Sequence, residues 1–262
     1  SLNMGTLLEG DVRGDNRVDG RDVSLLAASF GKSRGQAGFD PRADLNQDGT
    51  VNAQDLDLLK PNLGRRGDVL VGLGALAAGL GPDAGEAVDL LRLATATSGT
   101  VALRIVPSNA SAAVDGQVVL EVRASAGAQP VDTAQLHLDY DPAALALVDG
   151  AGQPATAIEA GAALSQVLLN AVDPAHGWID YLASSLGGTA PSGEIVLARL
   201  HFRVLKAATS TIRFSLSDWR CTDLTYQGEP VLGTLAAAEI RGDEAATGHR
   251  LWLPAILKNR TR

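Results

Sequence analysis

The stretch "DLNQDGTVNAQD", residues 44–55, decides how the first third of this chain reads. Acidic or amide side chains stand at alternate places, a glycine falls in the middle, and the run closes on an aspartate. A hard cation such as calcium takes six to eight oxygen ligands. A twelve-residue loop can supply them from side chains at places 1, 3, 5 and 9, a main-chain carbonyl at 7 and a carboxylate at 12. Those places fall on Asp44, Asn46, Asp48, the Thr50 carbonyl, Asn52 and Asp55. Gly49 occupies place 6, where the chain must turn sharply. The competing reading is a polar turn that merely caps a helix.

A second run, "DVRGDNRVDGRD" at residues 11–22, repeats the pattern 33 residues upstream (44 − 11 = 33). At that shift Asp15 meets Asp48, Val18 meets Val51, Asp22 meets Asp55, Leu26 meets Leu59, Phe30 meets Leu63 and Gly31 meets Gly64. Matches of this number at one offset indicate an internal duplication, which a capping turn alone would not produce. The upstream loop offers Asp11, Asp15, the Arg17 carbonyl, Asp19 and Asp22. Arg13 stands at place 3 and cannot ligate, whereas Asn16 at place 6 tolerates the positive φ that a turn requires. Four carboxylates here against three in the downstream loop partly offset the lost ligand. The expectation is two calcium ions, the upstream one held more weakly. Val51, at place 8, is placed to pair the two loops through a short β-bridge.

Apolar residues at helical spacing follow each loop: Val23, Leu26 and Phe30, then Leu56, Leu59 and Leu63. Each run ends at a glycine, the usual helix stop. Pro61 lies inside the second run and disfavours helix at Lys60, so the second helix should be short or kinked. The Asp at place 12, the single helix after each loop and the duplication resemble the type I dockerin family. "GDVRGDNRVDGRDVSLL" and "ADLNQDGTVNAQDLDLL" match the repeat of that family except at Arg13 and Asn16. The resemblance covers residues 10–64 and implies a calcium-folded module that plugs into a cohesin receptor. It also implies partner contacts at loop places 10 and 11, here Gly20 and Arg21 in one copy and Ala53 and Gln54 in the other. The following helix adds Ala27 and Ala28 against Lys60 and Pro61. These faces differ, so the two copies are not expected to be interchangeable.

From about residue 99 the pattern changes to period two. "TVALRIVP", "QVVLEVRA", "AQLHLDYDP", "GWIDYLAS", "EIVLARLHFRVL", "STIRFSLSDW" and "TLAAAEIRG" read as strands with turns between them. Many short strands without a long amphipathic helix point to an all-β antiparallel sandwich or barrel. Over about 100–242, the "G-x-x-V-x-L-x-V" strand, the strand ending "YDP" and the "LARLHFRV" strand resemble a cohesin domain, which implies a jelly-roll sandwich. The expected organisation is a small helical duplicated-loop domain over 1–66, an Ala/Gly/Leu-rich linker over 67–98, a cohesin-like sandwich over 99–243 and a tail over 244–262. The linker can hold one helix, "GEAVDLLRLA" at 85–94.

Composition excludes several functions. The formal charge of −8 argues against a nucleic-acid or anionic-membrane surface. No stretch is long and apolar enough to span a bilayer; the nearest, "VLVGLGALAAGLG" at 69–81, is short and interrupted by glycine. The opening "SLNMGTLLEGD" has no basic region and apolar core of a secretory signal. A single cysteine, Cys221, and four histidines without a cluster argue against zinc. Catalysis has little footing. Asp139/Asp141 and Asp218/Asp223 can be imagined as paired glycosidase carboxylates, but Asp141 precedes Pro142 and reads as a turn former. His137 and His201 read as outward residues on alternating strands.

The two resemblances together imply a non-catalytic, calcium-dependent assembly protein of an extracellular or cell-surface, cellulosome-like system. Its partners would be cohesin or dockerin modules of other proteins, and self-association is open to it. The rivals are a surface protein whose sandwich binds polysaccharide directly and a fragment of a larger polysaccharide-degrading enzyme. Aromatic residues at 4 % weaken the first rival, with Trp178, Tyr181, Trp219 and Tyr226 as its stacking candidates.

Overall fold

The computed structural model describes residues 8–67, 99–217 and 219–244. The linker expected over 67–98, with its helix at 85–94, and the tail expected over 244–262 fall almost wholly outside the described residues, as does Asp218. No helix among the described residues is long and apolar enough to cross a membrane.

The N-terminal module carries helix α1 (Gly20–Ser29) and helix α2 (Ala53–Leu59), the latter running into a 3₁₀ turn over Lys60–Asn62. Both helices begin in the same way. The place-9 side chain, Asp19 or Asn52, caps the first turn, and the place-12 carboxylate, Asp22 or Asp55, reaches back to the cap backbone. These reciprocal bonds satisfy amide donors that a helix start leaves without partners. Gly31 (φ 76) and Gly64 (φ 77) terminate both units in left-handed backbone. Pro61 sits in the first turn of the 3₁₀ segment, where its missing N–H costs little, and α2 is the shorter helix as anticipated.

The bridge expected between the two loops does not form. Each loop pairs instead with the segment that follows the other helix. Thr50 bridges Ser33 and Arg17 bridges Arg66, with Val51 N–H donating to the Lys32 carbonyl at 2.9 Å and Val18 N–H to that of Arg65 at 3.0 Å. The glycine after each helix brings the chain back past the opposite loop, which makes the crossing inevitable. Val18, Val23, Leu26, Val51, Leu56 and Leu59 are buried between the repeats.

The second module is a two-sheet sandwich. Its first half holds β1 (Val101–Val106), β2 (Asn109–Ala113), β3 (Gln117–Ser125), β4 (Thr133–Asp139), β5 (Leu145–Val148) and β6 (Glu159–Ala160). Then come β7 (Gln166–Asp173), β8 (Trp178–Ser184), β9 (Glu194–Val204), β10 (Thr209–Phe214), β11 (Leu216–Ser217) and β12 (Arg220–Cys221). The last are β13 (Asp223–Tyr226), β14 (Glu229–Pro230), β15 (Leu232–Ala236) and β16 (Ala238–Asp243). One sheet runs β15-β1-β3-β9-β5. The other has β4 at its centre, flanked by β8 and β7 on one side and by β13 and β10 on the other. The ladders are antiparallel except β1 with β15 and β2 with β16, which are parallel. The first and last segments of the module run side by side, and both switch sheets at the same level. The single strand read from "TLAAAEIRG" is accordingly two, β15 and β16.

Alternation along β3, β4 and β9 sends Leu120, Val122, Leu136, Leu138, Leu200 and Phe202 into one core. Strand β8 breaks the rule. Tyr181, Leu182, Ala183 and Ser184 are all buried, so both of its faces are covered. Leu182 belongs not to the sandwich core but to the apolar cluster of the N-terminal module.

Candidate metal loops and docking face

In the downstream loop, the side chains named from sequence converge. Gly49 N–H donates to Asp44 Oδ2 at 3.0 Å, Thr50 N–H to Asp48 Oδ1 at 2.9 Å, and Asp48 N–H to Asn46 Oδ1 at 2.9 Å. Asp55 accepts from Asn46 N–H at 3.1 Å and from Asn52 N–H at 2.8 Å, which ties place 12 to places 3 and 9. The Thr50 carbonyl accepts from Asn52 Nδ2 at 3.2 Å. Gly49 at place 6 has φ 90, the left-handed turn a side chain would oppose. Asp44 is 4 % exposed and its Oδ1 has no hydrogen-bond donor. A buried carboxylate oxygen left this way costs free energy unless a cation or donor satisfies it. The donor set therefore fits a hard divalent cation.

The upstream loop is built alike. Asp11 accepts from the N–H groups of Gly14, Asp15 and Asn16 at 2.7–3.0 Å. Asp15 accepts from Arg17 N–H at 3.2 Å, and Asp22 from Arg13 N–H at 3.0 Å and Asp19 N–H at 2.9 Å. Asn16 at place 6 takes φ 65, as its residue type allows. Burial, then the neighbouring Asp19 and Asp15 carboxylates, push Asp22 up to about 7 against the pull of its backbone donors. The acids crowd one another, and a bound cation would relieve that repulsion. Arg13 directs only its backbone at the loop. Its guanidinium leaves and donates to the Gly228 carbonyl at 3.3 Å.

That bond belongs to a larger contact. The first repeat lies on the sandwich face formed by β4, β8 and β13. Gly20 N–H donates to Gln135 Oε1 at 2.6 Å, and Arg21 Nε to Asp223 Oδ2 at 2.7 Å. Ser24 Oγ donates to Asp132 Oδ1 at 2.6 Å and accepts from Gly228 N–H at 2.7 Å, all buried. Apolar contacts surround these bonds. Leu25 meets the backbone of Gly228, Phe30 meets Gly187, and Leu182 is enclosed with Leu168, Leu169 and Leu186 packed around it. Burial pushes Asp223 up to about 6 even though Arg21 pulls it the other way, while Asp223 and Asp19 hold Arg21 above its usual range despite its own burial. Both charges persist at neutral pH, and the short separation makes a charge-assisted bond.

Of the partner-binding residues inferred from resemblance, Gly20 and Arg21 touch the sandwich. Ala53, Gln54 and Lys60 lie on the other repeat, where Gln54 accepts from Asn46 Nδ2 at 3.2 Å and Lys60 pairs with Asp57 at 3.0 Å. Sequence reasoning missed Ser24, Asp132, Gln135, Leu182 and Gly228. One signal was present: "YLAS" at 181–184 is small or apolar at every position, which a strand with one wet face would not need.

The sugar-stacking candidates are mostly engaged elsewhere. Tyr181 is buried, Tyr226 packs against the core, and Trp178 is stacked by His176 and covered by Arg220. Trp219 is 61 % exposed. Asp139, offered above as half of an acidic pair, is bound by Arg220, and Asp141 caps its turn by accepting from Ala143 N–H at 2.8 Å.

The fold and site thus define a duplicated loop-and-helix module, with oxygen-rich loops, joined to a two-sheet β-sandwich. Residues 9–64 match the Dockerin type I domain family and residues 103–223 match the Cohesin domain family. The chain joins a type I dockerin domain to a cohesin domain, both non-catalytic modules of protein assembly. Among solved structures, a type II cohesin domain from the cellulosome of Acetivibrio cellulolyticus is similar, with 21% identity, 54% of this chain and 95% of that one covered, and a TM-score of 0.48. A Clostridium acetobutylicum cohesin solved in solution shows 16% identity over 55% of this chain and 92% of its own, TM-score 0.46. Type II cohesin A11 from Bacteroides cellulosolvens shows 13% over 54% and 99%, TM-score 0.46. No curated protein matches the chain.

Proposed function

We propose that the chain is an adaptor of an extracellular, cellulosome-type assembly, with a dockerin plug folded around two calcium ions and a cohesin receptor on the same polypeptide. The supporting observation is the pair of loops related by the 33-residue shift, each with its place-12 carboxylate tied to places 3 and 9. Asp44, Asn46, Asp48, the Thr50 carbonyl, Asn52 and Asp55 would hold one ion. Asp11, Asp15, the Arg17 carbonyl, Asp19 and Asp22 would hold the other. A bound ion supplies charge neutralisation and oxygen coordination that order the loops; the chain's own residues do the recognising. The upstream site is the weaker because Arg13 contributes no ligand.

Calorimetric titration of the chain with calcium should show two sites of unequal affinity; one site, or none, overturns the reading. Mixing the chain with a purified cohesin-bearing scaffold should give calcium-dependent capture that chelator abolishes. Retention on insoluble polysaccharide that ignores chelator would instead favour direct sugar binding.

A further inference from the structure

We infer that this chain closes on itself: the first repeat of its dockerin domain occupies the β4–β8–β13 face of its own cohesin domain and withholds that face from other dockerins until the contact opens. The inference rests on the plug-and-receptor reading above and names the partner that fills the receptor.

The contact is specific to the first repeat. At the shift of 33, Gly20 corresponds to Ala53, Arg21 to Gln54, Ser24 to Asp57 and Arg13 to Asn46. A Cβ on Gly20 would come within 3.1 Å of the Gln135 side chain, so Ala53 would crowd that place. Gln54 offers no charge for Asp223. Asp57 would set a second carboxylate against Asp132, where Ser24 now donates at 2.6 Å. Asn46 is too short to carry a guanidinium to the Gly228 carbonyl. Every one of these four exchanges weakens the contact, so the face is matched to one repeat and set against the other. Arg13 gains a role in the same way. The residue that costs the first loop a calcium ligand adds a bond across the module boundary.

The sandwich is shaped in return. Gly228 has φ 81, and a Cβ there would fall 2.4 Å from Leu25 Cγ. Leu182, on the outer face of β8, is 2 % exposed only because the module covers it. Without that cover, Leu182, Leu168, Leu169 and Leu186 would form an apolar patch beside a buried-type acid, Asp132. Because both modules are on one chain, the contact forms intramolecularly, without the loss of translational freedom that an external dockerin must meet.

Charge exchange tests the closure on the full chain in saturating calcium. Wild type should be a monomer of 27.0 kDa at all concentrations. Its scattering radius should be smaller than that of any variant in which the contact opens. Arg21→Glu and Asp223→Arg should each expand it while remaining monomeric, and the double variant should become compact again. Mixing the two single variants sets the new carboxylate at position 21 of one chain against the new guanidinium at position 223 of the other. The unaltered Arg21 and Asp223 pair in return, so a dimer of twice the mass should form. Asp223→Arg changes no loop residue and decides alone if Arg21→Glu weakens calcium binding. A wild type as expanded as the variants, single variants that stay compact, or a mixture that stays monomeric overturns the closure. Wild-type dimers that grow with concentration would assign the face to a second copy instead. Loss of calcium binding in wild type would strike the plug reading separately.

Discussion

At matched places of the two repeats, Arg13 corresponds to Asn46, Gly20 to Ala53, Arg21 to Gln54 and Ser24 to Asp57. The first member of each pair meets the sandwich, and the second faces solvent or its own loop. The backbones behave alike, with the same capping boxes, the same left-handed glycines and the same crossed bridges. A duplicated unit can therefore hold its metal-loop chemistry nearly constant while its outward residues diverge. Divergence puts an arginine at place 3 of the first loop and gives the sandwich five hydrogen bonds with four residues of the first repeat.

The largest effect should come from removing calcium. Carboxylates buried in both loops would be left to repel, and the small core between the repeats cannot offset that. Chelation should abolish most of the helical signal in far-ultraviolet circular dichroism while the sandwich's strand signal stays. Helix that survives chelation would show that the repeats fold without metal.

Exchanging Ser24 and Asp57 sharpens the comparison next. Ser24→Asp removes two buried hydrogen bonds and opposes Asp132, a loss of about 3 kcal/mol in closure, roughly a hundredfold or more in the open population. Asp57→Ser should leave closure within ~0.5 kcal/mol, because Asp57 pairs only with exposed Lys60. Scattering radius reads both, and equal effects would break the asymmetry. A smaller step is Gly20→Ala, which crowds Gln135 and should weaken closure by about 1–3 kcal/mol. Ala53→Gly should only cost α2 the usual 0.5–1 kcal/mol of helix propensity, roughly, without moving the sandwich.

The smallest effect is on pH. Asp223 sits near 6 in the closed chain, raised first by burial with Arg21 opposing and Asp19 adding to the rise. A carboxyl whose closed-state value lies above its free value of 3.8 takes up a proton on closing. Closure is then favoured as pH falls below about 6 and loses that contribution as pH rises through it. At fixed saturating calcium, the open fraction should be lower at pH 5 than at pH 8. Asp223→Asn should reduce the difference, the remainder coming from Asp132, which burial at the same face also raises.

The loops were legible because their chemistry lies within twelve consecutive residues, and alternation along β3, β4 and β9 gave away the sandwich core. The face was not legible. Asp132 and Gln135 at β4 and Asp223 and Gly228 at β13 come from segments about 90 residues apart, and alternation says which side a residue occupies, not what covers it. Strand β7 was missed for the same reason. Its run Val167, Leu168 and Leu169 breaks period two because the outward leucines meet the N-terminal module. The loop-to-loop bridge was misplaced because place 8 marks a residue that will pair without naming its partner.

Arg13 offers the most direct test, since it is asked to weaken one site and strengthen one contact. Calorimetric calcium titration of Arg13→Asn, with scattering on the same sample, reads both. The upstream affinity should rise toward that of the downstream loop while the closed chain loosens. Unchanged upstream affinity together with undiminished compactness would contradict both roles of Arg13.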